Sequence, residues 1–201
     1  MVDCGSAYGD DPEMPKHEKM RPKPMSPYAV QKLTGEYYAR LYHELYDIET
    51  VSLRYFNVYG PRQDPSSPYS GVISIFMTRA LSGEPPVIYG DGEQRRDFVF
   101  VADVVRANLM AAGAPGAGGG IFNVGTASAM TVNDLWRRIA NLAGMDAAPV
   151  HAAPRAGDIR ESRSSIANAA AALGFHPDYD FEKGIAATMA WYRERAERNA
   201  S

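Results

Sequence analysis

The stretch IETVSLRYFNVYG, residues 48–60, is the strongest constraint on how this chain folds. Val51 to Phe56 form an apolar run of strand length, and Gly60-Pro61 closes it. A central apolar strand of this kind belongs in a parallel sheet, which needs neighbours on both sides. Few partners for it are evident nearby. Before it, Val30, Leu33, Tyr37, Leu41 and Leu45 recur at the three-to-four spacing of an amphipathic helix over residues 26–46. Ser26 is placed to cap that helix and Pro27 to open it.

The remaining chain continues the alternation. Residues 1–10 read as a strand end and a turn, and residues 11–25, with four prolines, as a loop. VISIFMTRAL reads as a helix, PVIYGDG as a short strand into a turn, RRDFVF as a further strand, and VADVVRANLMAAG as a helix. After the connector GAPGAGGG come the strand IFNVGT and a helix from Thr131 to Ala143 with Thr131 as its cap. The tail predicts a strand at 149–151 and helices at 165–173 and 181–195. Strands alternating with helices define an α/β protein with parallel pairing. No glycine-rich strand-turn-helix loop of the kind that cradles a nucleotide occurs anywhere.

Composition narrows the function. The chain has 201 residues, 45% hydrophobic and 22% charged, as in soluble globular proteins. Its apolar runs are too short to span a bilayer, residues 1–20 do not form a signal peptide, and a cytoplasmic location is expected. The single cysteine excludes an internal disulfide framework. A net charge of −3 argues against nucleic-acid binding and still permits an anionic small molecule held by clustered arginines. His17, His43, His151 and His176 lack metal-ligand spacing and read as surface or structural residues.

The chemistry concentrates in SPYAVQK. Tyr28 and Lys32, four apart on a helix, share one face. An ammonium beside a phenol favours the phenolate, which turns a weak base into one that takes and returns a proton. Taken alone, Y-x-x-x-K is a two-residue pattern and more often packing than catalysis.

Four further blocks accompany it in order: LRYFNVYGPRQDP, GDGEQRRDFVFVADVVRA, FNVG and RAGDIRES. Together the five blocks resemble the extended short-chain dehydrogenase/reductases, and within them the UDP-glucose and UDP-N-acetylglucosamine 4-epimerases. The resemblance covers nearly the whole chain. It implies an α/β fold, the C-terminal part of a doubly wound NAD-binding (Rossmann-type) fold plus a small α/β substrate lobe. Residues 1–66 would be the remnant of the dinucleotide-binding domain and 67–201 mainly the substrate lobe, with about 97–125 returning to the Rossmann sheet. The first five strands and the glycine-rich NAD turn would precede residue 1, so the isolated 201 residues are expected to bind NAD weakly or not at all.

By that resemblance Tyr28 takes the proton from the sugar 4-hydroxyl, and Lys32 holds the nicotinamide ribose. Hydride passes from sugar C4 to NAD and returns to the other face of a 4-keto sugar. Tyr55 and Phe56 match positions lining the nicotinamide. On the substrate side the resemblance assigns Asn57 as a hydrogen bonder, Val72, Val87 and Tyr89 around the uracil, Arg96 and either Arg155 or Arg160 to the phosphates, and Asp158 among the substrate-binding residues. Arg62, Arg95 and Arg163 read as solvated charges. Where the family carries a Ser or Thr beside the sugar oxygen this sequence has Cys4, with Ser6 two residues off register. Gly5 and Ser6 replace the Asp-Glu of the 4,6-dehydratases, which disfavours dehydration. The expected partners are a UDP-sugar and a second copy of the chain. A non-catalytic sugar-nucleotide-binding or oligomerisation module is the competing reading, and decarboxylation or reduction of a related sugar nucleotide a weaker third.

Overall fold

The computed structural model describes residues 2–3, 7–65, 71–155 and 157–200. A parallel three-stranded sheet is built from β1 (Val2–Asp3), β2 (Ser52–Tyr55) and β7 (Ile121–Val124), in the order β1-β2-β7. The apolar strand therefore has a neighbour on each side: Val2 pairs with Arg54, and Ser52 to Tyr55 pair with Ile121 to Val124. Both neighbours are distant in sequence, which is why local reading found so few.

The chain changes sheets after one residue. Phe56 donates its N–H to Val124 O at 2.9 Å, still on the first ladder, while Asn57 donates to Asp97 O at 3.0 Å. From there β3 (Asn57–Tyr59) runs parallel to β6 (Phe98–Phe100). RRDFVF is thus two strands rather than one: β5 (Arg95–Arg96) precedes β6, and Asp97 separates them. β5 lies between β8 (Met130–Thr131) and β10 (Glu161–Ser162), and β4 (Val87–Tyr89) pairs with β9 (Val150–Ala152). Strands of two residues carry too little periodicity to be seen in sequence.

The helices are α1 (Pro27–Tyr46), α2 (Val72–Leu81), α3 (Val101–Gly113), α4 (Val132–Ala143), α5 (Ala167–Leu173) and α6 (Phe181–Ala200). α4 follows its sequence closely. Thr131 accepts a hydrogen bond from Asp134 N–H at 3.0 Å, Gly144 ends the helix at φ 74°, and Val132, Leu135, Trp136 and Ile139 are buried. Those side chains join α2, α6 and β6 in one core, in which Phe76 meets Trp136 edge to face at 5.5 Å. A second core lies between the β2–β7 face, α3 and α5.

α1 buries only one residue of its apolar stripe. Ala29, Leu33 and Glu36 are buried, whereas Val30, Tyr37, Leu41 and Leu45 are exposed. The reason is an ion pair. Glu36 faces Arg54 of the central strand, which turns the apolar stripe, Leu33 excepted, away from the sheet. Among the described residues, no helix is long and apolar enough to cross a membrane.

Candidate active site

α1 begins where SPYAVQK starts it. Ser26 Oγ accepts from Ala29 N–H at 3.1 Å, and Pro27 fills the first turn. Tyr28 and Lys32 then lie on one side of the helix, both half-buried, with Lys32 Nζ 5.3 Å from the centroid of the Tyr28 ring. Lys32 also borders an open cleft of about 350 Å³ beside α1.

One turn beyond Lys32, the Glu36 carboxylate receives a two-pronged contact from Arg54, Nε to Oε2 at 2.8 Å and Nη2 to Oε1 at 2.6 Å. Both side chains are buried. The Arg54 guanidinium in turn lies 4.8 Å from the Tyr8 ring centroid, and Tyr8 donates its hydroxyl proton to Asn123 Oδ1 at 2.8 Å. Asn123 Nδ2 donates to Lys16 O at 2.9 Å, and Asn123 N–H donates to Glu18 Oε1 at 2.7 Å. This buried polar chain fixes α1, the central strand and the 7–18 segment relative to one another. Sequence reading passed over it, although Arg54 inside an apolar strand was a visible signal: a buried charge needs a partner.

At the other end of β2, a cleft of about 250 Å³ is lined by Asn57, Val72, Val87, Tyr89, Arg96, Arg155 and Asp158, together with Phe76, Ile88, Gln94 and Val132. Seven residues singled out on the substrate side thus come together from separate parts of the chain. Arg96 Nη2 meets Asp158 Oδ1 at 2.5 Å, and the Arg155 guanidinium carbon lies 3.8 Å from the Tyr89 ring centroid. Arg160 does not line the cleft: it is exposed and pairs with Asp91 at 2.7 and 3.0 Å, which holds the Asp91 carboxyl below its usual range.

Tyr55 and Phe56 are core residues. Tyr55 sits on the α3 face of the sheet, opposite α1, and donates its hydroxyl to Asn108 Oδ1 at 2.8 Å; Phe56 packs with Tyr8 and Met20. Successive strand residues point to opposite faces, so Arg54 toward α1 obliges Tyr55 to point away. Its ring does not join the Tyr28–Lys32 face. Cys4 and Ser6 lie outside the described residues.

Asp97 is the residue that sequence reading missed. Fully buried, its carboxylate accepts from Thr126 N–H and Oγ1 at 2.9 and 2.7 Å and from Ser164 N–H and Oγ at 3.0 and 2.5 Å. Burial pushes its carboxyl above the ordinary range, and these four hydrogen bonds oppose that. Its carbonyl accepts from Asn57 N–H and Nδ2, and its N–H donates to Ser162 O at 2.8 Å. Asp97 therefore sets where Arg96 and Asn57 face the cleft. The signal was a lone acid leading an otherwise apolar strand.

Residues 1–125 match the model of the NAD dependent epimerase/dehydratase family. The chain is 42% identical over 193 residues to a UDP-glucose 4-epimerase of Mycolicibacterium smegmatis, covering 96% of this chain and 61% of that protein. Its fold superposes on a Thermotoga maritima UDP-glucose 4-epimerase solved with UDP-glucose, with TM-score 0.92 and 40% identity over 97% of this chain and 63% of the other. It also superposes on a Thermus thermophilus UDP-glucose 4-epimerase in complex with NAD, with TM-score 0.84 and 38% identity over 96% and 62% of the two chains. The chain spans about three-fifths of the length of the curated relatives it matches. Like these NAD-dependent neighbours, the chain has a Rossmann-type α/β fold with parallel strand pairing. With the family model matching well over half of its length, this chain belongs to the NAD dependent epimerase/dehydratase family.

Proposed function

We propose that this chain carries the proton-transfer helix and the nucleotide-sugar cleft of a UDP-hexose 4-epimerase. The observation that carries the reading is the convergence of Arg96, Arg155, Asn57 and an apolar wall of Val72 and Val87 on one cleft. That set suits a ligand with a flat base and a diphosphate, because arginine forks match phosphate oxygens and apolar side chains pack against a ring.

Tyr28, as the phenolate, takes the proton of the sugar 4-hydroxyl, and the phenol so formed gives it back after the sugar turns. Lys32, on the same helical face, supplies a positive charge beside the phenol and three N–H donors for ribose hydroxyls. The residues present fit the nicotinamide end of NAD through Tyr28 and Lys32; the sequence holds no glycine-rich seat for its pyrophosphate. The chemistry NAD supplies when bound is acceptance and return of the C4 hydride. The exposed apolar stripe of α1 supports pairing with a second copy of the chain.

The test has two arms. Calorimetry of the chain with UDP-glucose should show binding that Arg96→Ala weakens by about 30-fold or more, the loss expected for a charge-assisted contact to phosphate. Fused behind the glycine-rich NAD-binding segment of a relative, the chain should convert UDP-glucose to UDP-galactose, and Tyr28→Phe should slow this by about 10²- to 10⁴-fold. Binding without conversion by the fusion would leave the non-catalytic module as the better reading. No binding by the folded chain would remove both.

A further inference from the structure

One buried cation takes no part in the proposed chemistry. Lys16 is 1% exposed. Its Nζ donates to the Asp11 carbonyl, and among the described residues no carboxylate comes within ion-pair distance of it. The Asp11 carboxylate lies 2.8 Å from Lys23 Nζ instead. A buried ammonium held by a neutral acceptor destabilises its surroundings, where an apolar side chain of similar size would not. Yet Lys16 sits at the centre of a clasp. Its N–H donates to Arg163 O at 2.8 Å, and its carbonyl accepts from Ser165 N–H at 2.8 Å and from Asn123 Nδ2 at 2.9 Å. Lys16 and Ser164 form a parallel bridge. Residues 10–16 are thus laid as a strap against the connector between β10 and α5. The strap is anchored at both ends, by Lys23 N–H on Ala7 O at 2.9 Å and by Glu18 on Asn123 N–H at 2.7 Å. Ser164, between the two residues that Lys16 engages, holds Asp97, so the clasp braces the hub behind the cleft.

We propose that Lys16 makes this strap a proton-linked clasp: opening releases the ammonium into water, so protons favour the open strap and their loss favours the closed one. The inference does not depend on the nucleotide-sugar reading of the cleft. Burial pushes the Lys16 ammonium below the ordinary lysine value of 10.5, against the charges of Asp11, Glu13 and Asp10, which favour it; Lys23 opposes it. Glu13 is itself paired with His17. Across the clasp, Arg163 is the charged residue that Lys16 meets through the main chain, Asn123 is neutral, and Glu18 is engaged by Asn123 and Asn168. Between the lowered value and 10.5 the open strap binds more protons than the closed one, so closure strengthens as pH rises through that window. The buried charge thereby keeps this segment at the low end of the molecule's local stability, where small changes open or shut it.

The experiment is amide hydrogen exchange of the full chain, read at the Lys16 and Ser165 N–H groups from about pH 7 to about pH 10 and corrected for the intrinsic rate at each pH. In wild type these amides should exchange faster than those of α4, and their protection should rise at least about threefold across the range, within the limit of about tenfold per pH unit for one proton. Lys16→Met keeps the length of the side chain and removes the charge. Its clasp amides should be about tenfold more protected than wild type at pH 7, with no dependence on pH. Lys16→Arg carries a charge that cannot be lost, so its clasp should be no better protected than wild type at pH 7 and equally insensitive to pH. Circular dichroism checks that each protein is folded, and the methionine variant decides against wild type if the arginine variant is not. Wild-type protection that stays flat with pH overturns the inference. So does a methionine variant that is no better protected at pH 7 or that keeps the wild-type slope. Clasp amides that exchange as slowly as those of α4 overturn it too, because the strap then opens only when the whole chain unfolds.

Discussion

Replacing Glu36 by Ala tests the pair that sets the orientation of α1. In the folded chain Arg54 and Glu36 meet at 2.8 and 2.6 Å, with side-chain exposures of 2% and 1%. Water cannot screen a pair so enclosed, and it cannot solvate the arginine left behind. Removing one partner of a buried pair costs about 3–5 kcal/mol, against a total stability of about 5–15 kcal/mol for a domain. The contact of Arg54 with the Tyr8 ring recovers only a part of this, about 1–2 kcal/mol at most. Glu36→Ala should therefore lose about 1–4 kcal/mol in urea unfolding followed by tryptophan fluorescence. Glu36→Leu with Arg54→Met removes both charges and should be much less destabilised than the single variant, because no charge is stranded. A loss below about 1 kcal/mol for Glu36→Ala, the value of an exposed pair, would refute the reasoning.

Two further outcomes are expected. A Cβ built at Gly125 would stand 2.9 Å from Asp97 Oδ2 and crowd the Ser164 side chain. Gly125→Ala should therefore disturb the Asp97 hub, lower the unfolding midpoint and weaken UDP-glucose binding together, and an unchanged midpoint would count against the hub. Burial raises the phenol pKa values of Tyr55, Tyr59 and Tyr192 above the ordinary value of 10.0. The unfolded chain gives up these protons first, so their contribution to stability is complete below about pH 10 and is lost as pH rises above it. The urea midpoint should fall above that pH, and Tyr59→Phe should flatten the fall; an identical slope in the variant would show that Tyr59 is not part of it.

Some of this was legible in local chemistry. A helix start needs a capping oxygen and tolerates proline, both within two residues, so Ser26-Pro27 announced α1 and hence the shared face of Tyr28 and Lys32. The apolar periodicity of Val132, Leu135, Trp136 and Ile139, with Thr131 before and Gly144 after, announced α4 in the same way. The motif blocks carried Asn57, Gln94, Arg96, Arg155 and Asp158 of the cleft, whereas Val72, Val87 and Tyr89 lie between blocks.

Contacts across long separations were not legible. Arg96 meets Asp158 62 positions away, and Asp97 meets Ser164 67 positions away. Which face of α1 packs on the sheet was not legible for the same reason. Periodicity reports that a face is apolar, whereas the partner on another element decides which face is buried, and Arg54 chose Glu36. By itself the sequence determined which segments are helical, where capped helices such as α1 and α4 begin, and which side chains share a helical face, because those depend on neighbours within a turn, while the end of α6 at Ala200 lay beyond the expected 195. The tertiary structure alone decided which faces meet, which charges neutralise one another and which arginine of RAGDIR lines the cleft, because those depend on pairings across sheets that local spacing does not encode.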